Sequence, residues 1–184
     1  MIKMKRTVLS LAIALLSVAA LAQQKTTTSA IISFDATTAI DNLPKAENKT
    51  AVAAIDLAKN TVEFEATIKN FDFANPKIQE HFNAAGWMNS DQFPVATFSG
   101  IITTPAASDF KKNGTYNVTV QGDLTIKGKT QKITLPASII VDGNTVKASA
   151  SFTLKLADFG VDGPAVSAGK VSREPKITVY AELN

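Results

Sequence analysis

Between residues 116 and 156 the chain alternates apolar and polar side chains almost without a break. Tyr116, Val118, Val120, Gly122, Leu124 and Ile126 stand against Asn117, Thr119, Gln121, Asp123, Thr125 and Lys127. Ile133, Leu135, Ala137, Ile139 and Val141 repeat the pattern. Val146, Ala148, Ala150, Phe152, Leu154 and Leu156 then oppose Thr145, Lys147, Ser149, Ser151, Thr153 and Lys155. Side chains on a strand point to opposite faces in turn, so this period means strands with one buried and one wetted face. The turn signals Lys112-Asn113-Gly114, Lys127-Gly128-Lys129 and Asp142-Gly143-Asn144 punctuate them. "AIISF" (30–34), "TAVAAIDL" (50–57), "NTVEFEATIKNF" (60–71), "VATFSGIITT" (95–104) and "KITVYAEL" (176–183) complete about eight strands. The stretch "TTAIDNLPKAENKT" (37–50) reads as a loop.

Long antiparallel strands with one apolar face form either a sandwich or a closed barrel. Three successive strands here run to roughly a dozen residues, against the usual five or six, and closure removes exposed edges. The expected fold is therefore all-β: an eight-stranded antiparallel barrel. Such a barrel is filled by side chains or holds one small ligand. Ala66, Gly122, Ala137, Ala148 and Ala150 fall on the apolar face and would leave volume inside, whereas neighbouring Phe and Leu side chains could fill it. Pattern alone leaves both outcomes open.

The alternation breaks at "KIQEHFNAAGWMNSDQFPVATFSG" (77–100), which holds the single histidine and the single tryptophan. Asn75-Pro76 predicts a helix start, Ile78, Phe82 and Ala85 form one stripe, and Gly86 is the expected C-terminal stop. A helix this short is marginal alone, so Ile78, Phe82 and Trp87 should dock it on the barrel, capping one end. His81 lacks the nucleophile or charge partner that a catalytic base needs. A metal site needs three or four convergent ligands, and no such spacing exists. "GVDGPAVSAG" follows a strand without opening an obvious helix, so it is no phosphate loop.

At the N-terminus, Lys3, Lys5 and Arg6 precede an apolar run of about 15 residues that ends in Ala20-Leu21-Ala22. The run is shorter than the roughly 20 residues a spanning helix needs. Residues 1–22 read as a secretory signal cut near Ala22, 23–29 as a flexible lead-in, and 30–184 as one barrel domain. The mature protein is then periplasmic or secreted. The chain has 19 basic and 16 acidic residues. Three of the basic ones lie in the signal, so the mature chain is formally neutral. That argues against nucleic acid and against an anionic membrane surface, since phosphate binding requires a basic patch on the folded domain. No cysteine is present, so there is neither a disulfide framework nor a thiol to lipidate.

Three segments together resemble the YceI-like family of bacterial secreted proteins. They are "EHFNAAGWMNSDQFPVATFSG", "YNVTVQGDLTIKGKTQKITLPASI" and "FTLKLADFG". The matching positions are Asp91, Phe93, Pro94 and Phe98; then Gly122, Leu124, Thr125, Ile126, Gly128, Thr130 and Ile133; then Asp158, Phe159 and Gly160. The resemblance implies a lipocalin-like barrel around a long apolar chain, with polyisoprenoid ligands of the quinone or prenyl-lipid type and no accepted catalytic residues. Where many relatives carry an arginine–aspartate pair before the helix, this chain reads "NPKIQEHF".

The leading functional reading is a non-enzymatic carrier or sequestering protein for an isoprenoid lipid or quinone, with no cofactor otherwise. By strand parity the cavity lining would be Phe64, Ala66, Ile68, Phe98, Val118, Val120, Leu135, Ala137, Ile139, Ala148, Ala150, Phe152 and Leu154. A second reading is an envelope interaction or stress protein. Its barrel would be filled, and a membrane redox or envelope protein would bind its outer surface. A third is an enzyme acting on a bound lipid through His81 or a carboxylate pair.

Overall fold

A computed structural model describes residues 24–104 and 110–184 of the chain. The alternating segments are strands β1 (Gln24–Asp35), β2 (Lys45–Asp56), β3 (Thr61–Thr67), β5 (Val95–Thr104), β6 (Gly114–Ile126), β7 (Lys129–Asp142), β8 (Thr145–Thr153) and β9 (Lys176–Leu183), with a two-residue β4 (Asp72–Phe73). Each pairs antiparallel with its neighbour in the order β1-β9-β8-β7-β6-β5-β3-β2, and β1 pairs with β2 to close the ring. The molecule is an eight-stranded antiparallel barrel with one extra short strand. Among the described residues the α-helices are α1 (Pro76–Asn83) and the single-turn α2 (Pro164–Ser167).

Two sequence expectations about the first strands are corrected. Residues 24–29 are not a flexible lead-in. They form the first half of β1, whose Gln24, Lys25, Thr26 and Thr27 pair with Asp56, Ile55, Ala54 and Ala53 of β2. A polar segment joins a sheet readily when its partner supplies the backbone hydrogen bonds, and threonines suit the pleated surface. The expected loop 37–50 likewise becomes strand at Lys45, because β2 has a partner on each side from there. The expected signal segment, 1–22, lies outside the described residues.

β2 pairs with β4 through Ala46 and Glu47 and with β3 from Val52 onward. The fully buried Asn48 spans the change of partner. Its Nδ2 donates to the Thr67 carbonyl at 2.9 Å, and its Oδ1 accepts from the Thr50 N–H at 2.8 Å and the Thr50 hydroxyl at 3.0 Å. Its oxygen and its amide nitrogen are thus both bonded where the ladder is interrupted, as burial of an amide requires.

The strand directions sort the connections onto two ends. Loop 36–44, segment 68–94 with α1, the Lys127-Gly128 turn and segment 154–175 with α2 all lie at one end, here the lid end. The other end has the turn after Asp56, residues 110–113 leading into β6, the Gly143-Asn144 turn and the C-terminal residues of β9. In the first of these turns Asp56 Oδ1 accepts the N–H groups of Ala58 (3.0 Å) and Lys59 (3.1 Å), Asp56 Oδ2 pairs with Lys59 Nζ at 3.0 Å, and Asn60 takes φ 57°.

Burial pushes the Asp56 carboxyl up, but hydrogen bonds and charge from Lys59, with the Ala58 N–H, outweigh it and hold it below the ordinary value. Asp35 is also lowered, first by the Thr37 hydroxyl, which outweighs its burial, with help from the Thr37 N–H, Lys45 and Lys176. Both carboxyls bind protons less tightly folded than unfolded. Their stabilisation is present above the unfolded value of about 3.9 and is lost as pH falls through the lower folded values. Thermal melts should therefore show a lower Tm at pH ~3 than at neutrality. Asp56→Asn, which keeps the acceptor for the turn but not the charge, should narrow that difference. An unchanged acid dependence in the variant would exclude Asp56 as a source.

Candidate functional site

The barrel interior is not filled. It holds a cavity of ≈ 180 Å³, measured as space open to the centre of a water molecule. All eight long strands contribute to its wall, from Ile32 and Phe34 on β1 to Ile177 and Val179 on β9. Among the described residues, no ionisable side chain lies on the wall. The hydroxyl residues there, Thr97 and Ser149, occupy outward positions of their strands. Apolar cavities of this kind stay dry and take apolar guests.

Of the residues expected on the lining, Phe64, Ala66, Ile68, Phe98, Val120, Leu135, Ala137, Ile139, Ala148, Ala150, Phe152 and Leu154 are on the wall. Ile68 and Leu154 stand just past the ends of their strands, in the turn Ile68–Asn70 and the segment after Thr153. Val118 is corrected: it is buried, at 4% exposure, but does not reach the cavity. It lies on the early part of β6, at the end opposite the lid. There Phe110, Val118, Val141, Val146 and Leu183 are all buried and none lines the cavity. These side chains plug that end.

Gly122 is a second correction. It faces inward but opens no space, because Phe98 occupies it. A Cβ on Gly122 would lie 2.4 Å from the Ser99 carbonyl oxygen, 2.5 Å from Gly100 Cα and 2.7 Å from Phe98 Cζ. Gly100, its partner across β5 and β6, is pinched in the same way by the Phe98 ring at 2.7 Å. The room is made instead by Ala66, Ala96, Ala137, Ala148 and Ala150. Ala137 and Ala150 face each other across β7 and β8.

The lid is the part parity could not supply. Asn75 caps α1, its Oδ1 accepting from the Lys77 N–H at 3.0 Å, with Pro76 in the first turn. The helix does not stop at Gly86, as expected, but at Ala84. The chain then folds back so that Met88, Asn89 and Ser90 donate to the carbonyls of Phe82, Ala84 and Asn83. Asn89, at φ 49°, takes the left-handed position that Gly86 was expected to need. Phe82 is the hub of the dock: its ring lies 4.9 Å from Phe73, 5.9 Å from Phe34, 5.9 Å from Phe71 and 5.9 Å from Trp87. Phe82, Trp87 and Met88 thereby become cavity wall, joined from the opposite segment by Leu156, Phe159 and Val161. Trp87 is half-buried, and its Nε1 lies 3.5 Å from where a Cβ on Gly163 would stand. His81 is on the exposed side of α1, away from the wall.

The three motifs noted in the sequence converge on this end. The Phe93 ring lies against the hairpin turn, 2.8 Å from where a Cβ on Gly128 would sit, and Lys127 and Gly128 both have positive φ, 50° and 71°. Gly160, at φ 63°, packs under Lys129, and its carbonyl accepts from Lys127 Nζ at 3.2 Å. Gln131 Nε2 donates to the Asp158 carbonyl at 3.0 Å. Phenylalanine on a tight turn and a turn on a left-handed glycine explain why these residue types occur together. The YceI-like domain model matches residues 16–183.

This chain belongs to the YceI-like family.

Curated relatives include a UPF0312 protein of Enterobacter sp. (strain 638), 26% identical over 131 residues, covering 68% of this chain and 62% of the relative. Protein YceI of Escherichia coli O17:K52:H18 is 25% identical over 131 residues, covering 68% of this chain and 63% of its own. The matched segment thus spans a little under two thirds of these relatives' length. Among solved structures, a polyisoprenoid binding domain from Saccharophagus degradans superposes with TM-score 0.73 at 10% identity, covering 88% of this chain and 98% of its own. BcnA of Burkholderia cenocepacia gives 0.68 at 22% identity, covering 84% and 96%. At these identities the structures share the fold.

Proposed function

We propose that this protein binds a long isoprenoid lipid, of the quinone or polyprenyl type, inside the barrel, and carries or sequesters it without altering it chemically. The observation that carries this reading is the barrel cavity, whose wall has no ionisable side chain among the described residues. Each buried methylene is worth about 0.8 kcal/mol, so a long chain reaches useful affinity with few polar contacts. The likeness to a polyisoprenoid binding domain supports the same ligand class. An enzymatic role through His81 is disfavoured by its exposed position outside the wall. A partner-binding protein with a filled barrel is disfavoured by the open interior. The secretory signal read at residues 1–22 supports a periplasmic or secreted site of action.

The test is native mass spectrometry of protein purified gently from its own envelope compartment, with organic extraction of whatever is bound. A mass increment matching a prenyl lipid or quinone is expected, and the stripped protein should take up a long-chain prenol. A protein that arrives empty and refuses added prenol and quinone alike would refute the carrier reading.

A further inference from the structure

Loop 36–44 is at the lid end, and it carries the two most exposed large apolar residues on the connections of the described chain: Ile40 at 71% and Leu43 at 51%. They are presented by a built turn. Thr38 N–H donates to the Asp41 carbonyl at 2.8 Å, and the Thr38 hydroxyl oxygen accepts from Asp41 N–H at 3.2 Å. Asp41 Oδ1 accepts from Leu43 N–H at 2.9 Å, which folds its carboxylate back into the turn. The base is tied down by the Ala36 N–H to the Pro44 carbonyl, 2.9 Å, and by Ser172 N–H to the Ala36 carbonyl, 2.8 Å. Ile40 Cδ1 reaches the α2 side, 3.9 Å from where a Cβ on Gly169 would stand, next to exposed Lys170.

These bonds fix the turn, but leaving two large aliphatic side chains in water gains nothing from burial. Of the other large exposed apolar residues, Val52, Ile101 and Ile140 lie on strands with polar cross-strand partners such as Glu65, Gln121 and Lys147, and Tyr180 is paired with Ile31, so each is part of a sheet face, which is ordinary for a protein surface. Ile40 and Leu43 differ in sharing one hydrogen-bonded tip beside the cavity's cover. We propose that this tip docks the lid end on a lipid bilayer, inserting Ile40 and Leu43 at the headgroup boundary so that an apolar ligand passes between membrane and cavity without crossing water. The proposal rests on the carrier reading for its purpose, and on the tip alone for its contact. Lys45, Lys170, Arg173 and Lys176 flank the tip, against Asp35, Asp41 and Glu174. Lys45 pairs with Asp35 at 3.9 Å, so the charges beside the tip nearly cancel and apolar insertion carries the contact.

Flotation with vesicles of equal parts phosphatidylcholine and phosphatidylglycerol tests the contact without any ligand. The wild type should float with the vesicles, and the double variant Ile40→Ser with Leu43→Ser should lose at least about tenfold in partitioning, given the apolar area removed. Val52→Ser with Ile101→Ser, equally apolar but on strand faces, should float like the wild type. Transfer of a fluorescent prenyl quinone from the same vesicles should slow in the tip variant, while its equilibrium binding of that quinone in detergent micelles stays unchanged. Failure to bind quinone in micelles, with flotation intact, would sink the carrier reading and leave the docking. Equal flotation of wild type and tip variant would overturn the docking, as would a wild type that stays in solution. So would a concentration-dependent dimer abolished by the tip substitutions, since the occupant would then be a second copy.

Discussion

Replacing Gly122 by alanine should be among the most damaging single methyl additions in this protein. The new Cβ would sit 2.4 Å from the Ser99 carbonyl oxygen and 2.5 Å from Gly100 Cα, both backbone atoms that cannot swing aside. The third neighbour, the Phe98 ring at 2.7 Å, could leave only by entering the cavity. β5 and β6 would have to separate where they are paired on both sides, Phe98 with Leu124 and Ile102 with Val120. Overpacking of this kind costs about 3 kcal/mol, the upper part of its usual range. For a chain of this size that corresponds to about 6–12 °C in Tm. Gly143→Ala makes the comparison: its Cβ meets nothing within 4 Å, though φ there is 57°, so only backbone strain of order 1 kcal/mol is added. Thermal unfolding of the two variants side by side reads the difference. If Gly122→Ala melts within a degree or two of the wild type, the Phe98 pinch is not what holds these strands.

Filling the cavity should remove binding while leaving the fold intact. Ala150 faces inward between Ala137 on β7 and Val179 on β9, and all three are on the cavity wall. A phenylalanine at 150 therefore enters existing space instead of occupied core, and Ala148→Phe enters the same space one inward position along β8. Excluding about four methylenes of ligand forfeits about 3 kcal/mol, which is a loss of about 100-fold in affinity for a prenol or quinone. Tm should hold or rise, since empty volume is being filled. Val118→Phe separates the two effects. It adds bulk in the plugged end, where no cavity receives it, and should lower Tm. Ser151→Phe, on the outward face of β8, should change neither. Retained binding in both alanine variants would show that the ligand does not use this part of the wall.

The face on which each strand residue lies was legible in the sequence because it is a local property. Alternation of side chains follows from backbone pleating alone, so the inward positions from Phe64 to Phe152 could be read without knowing any partner strand. Turns were legible for the same reason: Lys127-Gly128 and Gly143-Asn144 mark places where φ must turn positive, and Asn75-Pro76 marks a helix start with its own cap. Depth along the barrel was not legible. Val118 and Val120 are two residues apart on one face, yet one plugs the closed end and the other lines the cavity. Their positions depend on strand tilt and on the register of eight strands at once. Gly122 looked like a source of space and is a contact, because the ring that fills it comes from the neighbouring strand. Residues 24–27 looked mobile and are paired, because β2 offers them an unoccupied ladder. The lid belongs to the same class: Phe82, Trp87, Met88 and Val161 become cavity wall only when two long connections fold over the same end. Sequence by itself determined which side chains turn inward and where the chain bends. Tertiary structure alone decided which of those inward side chains leave a void, because a void is a sum over neighbours that no single strand contains.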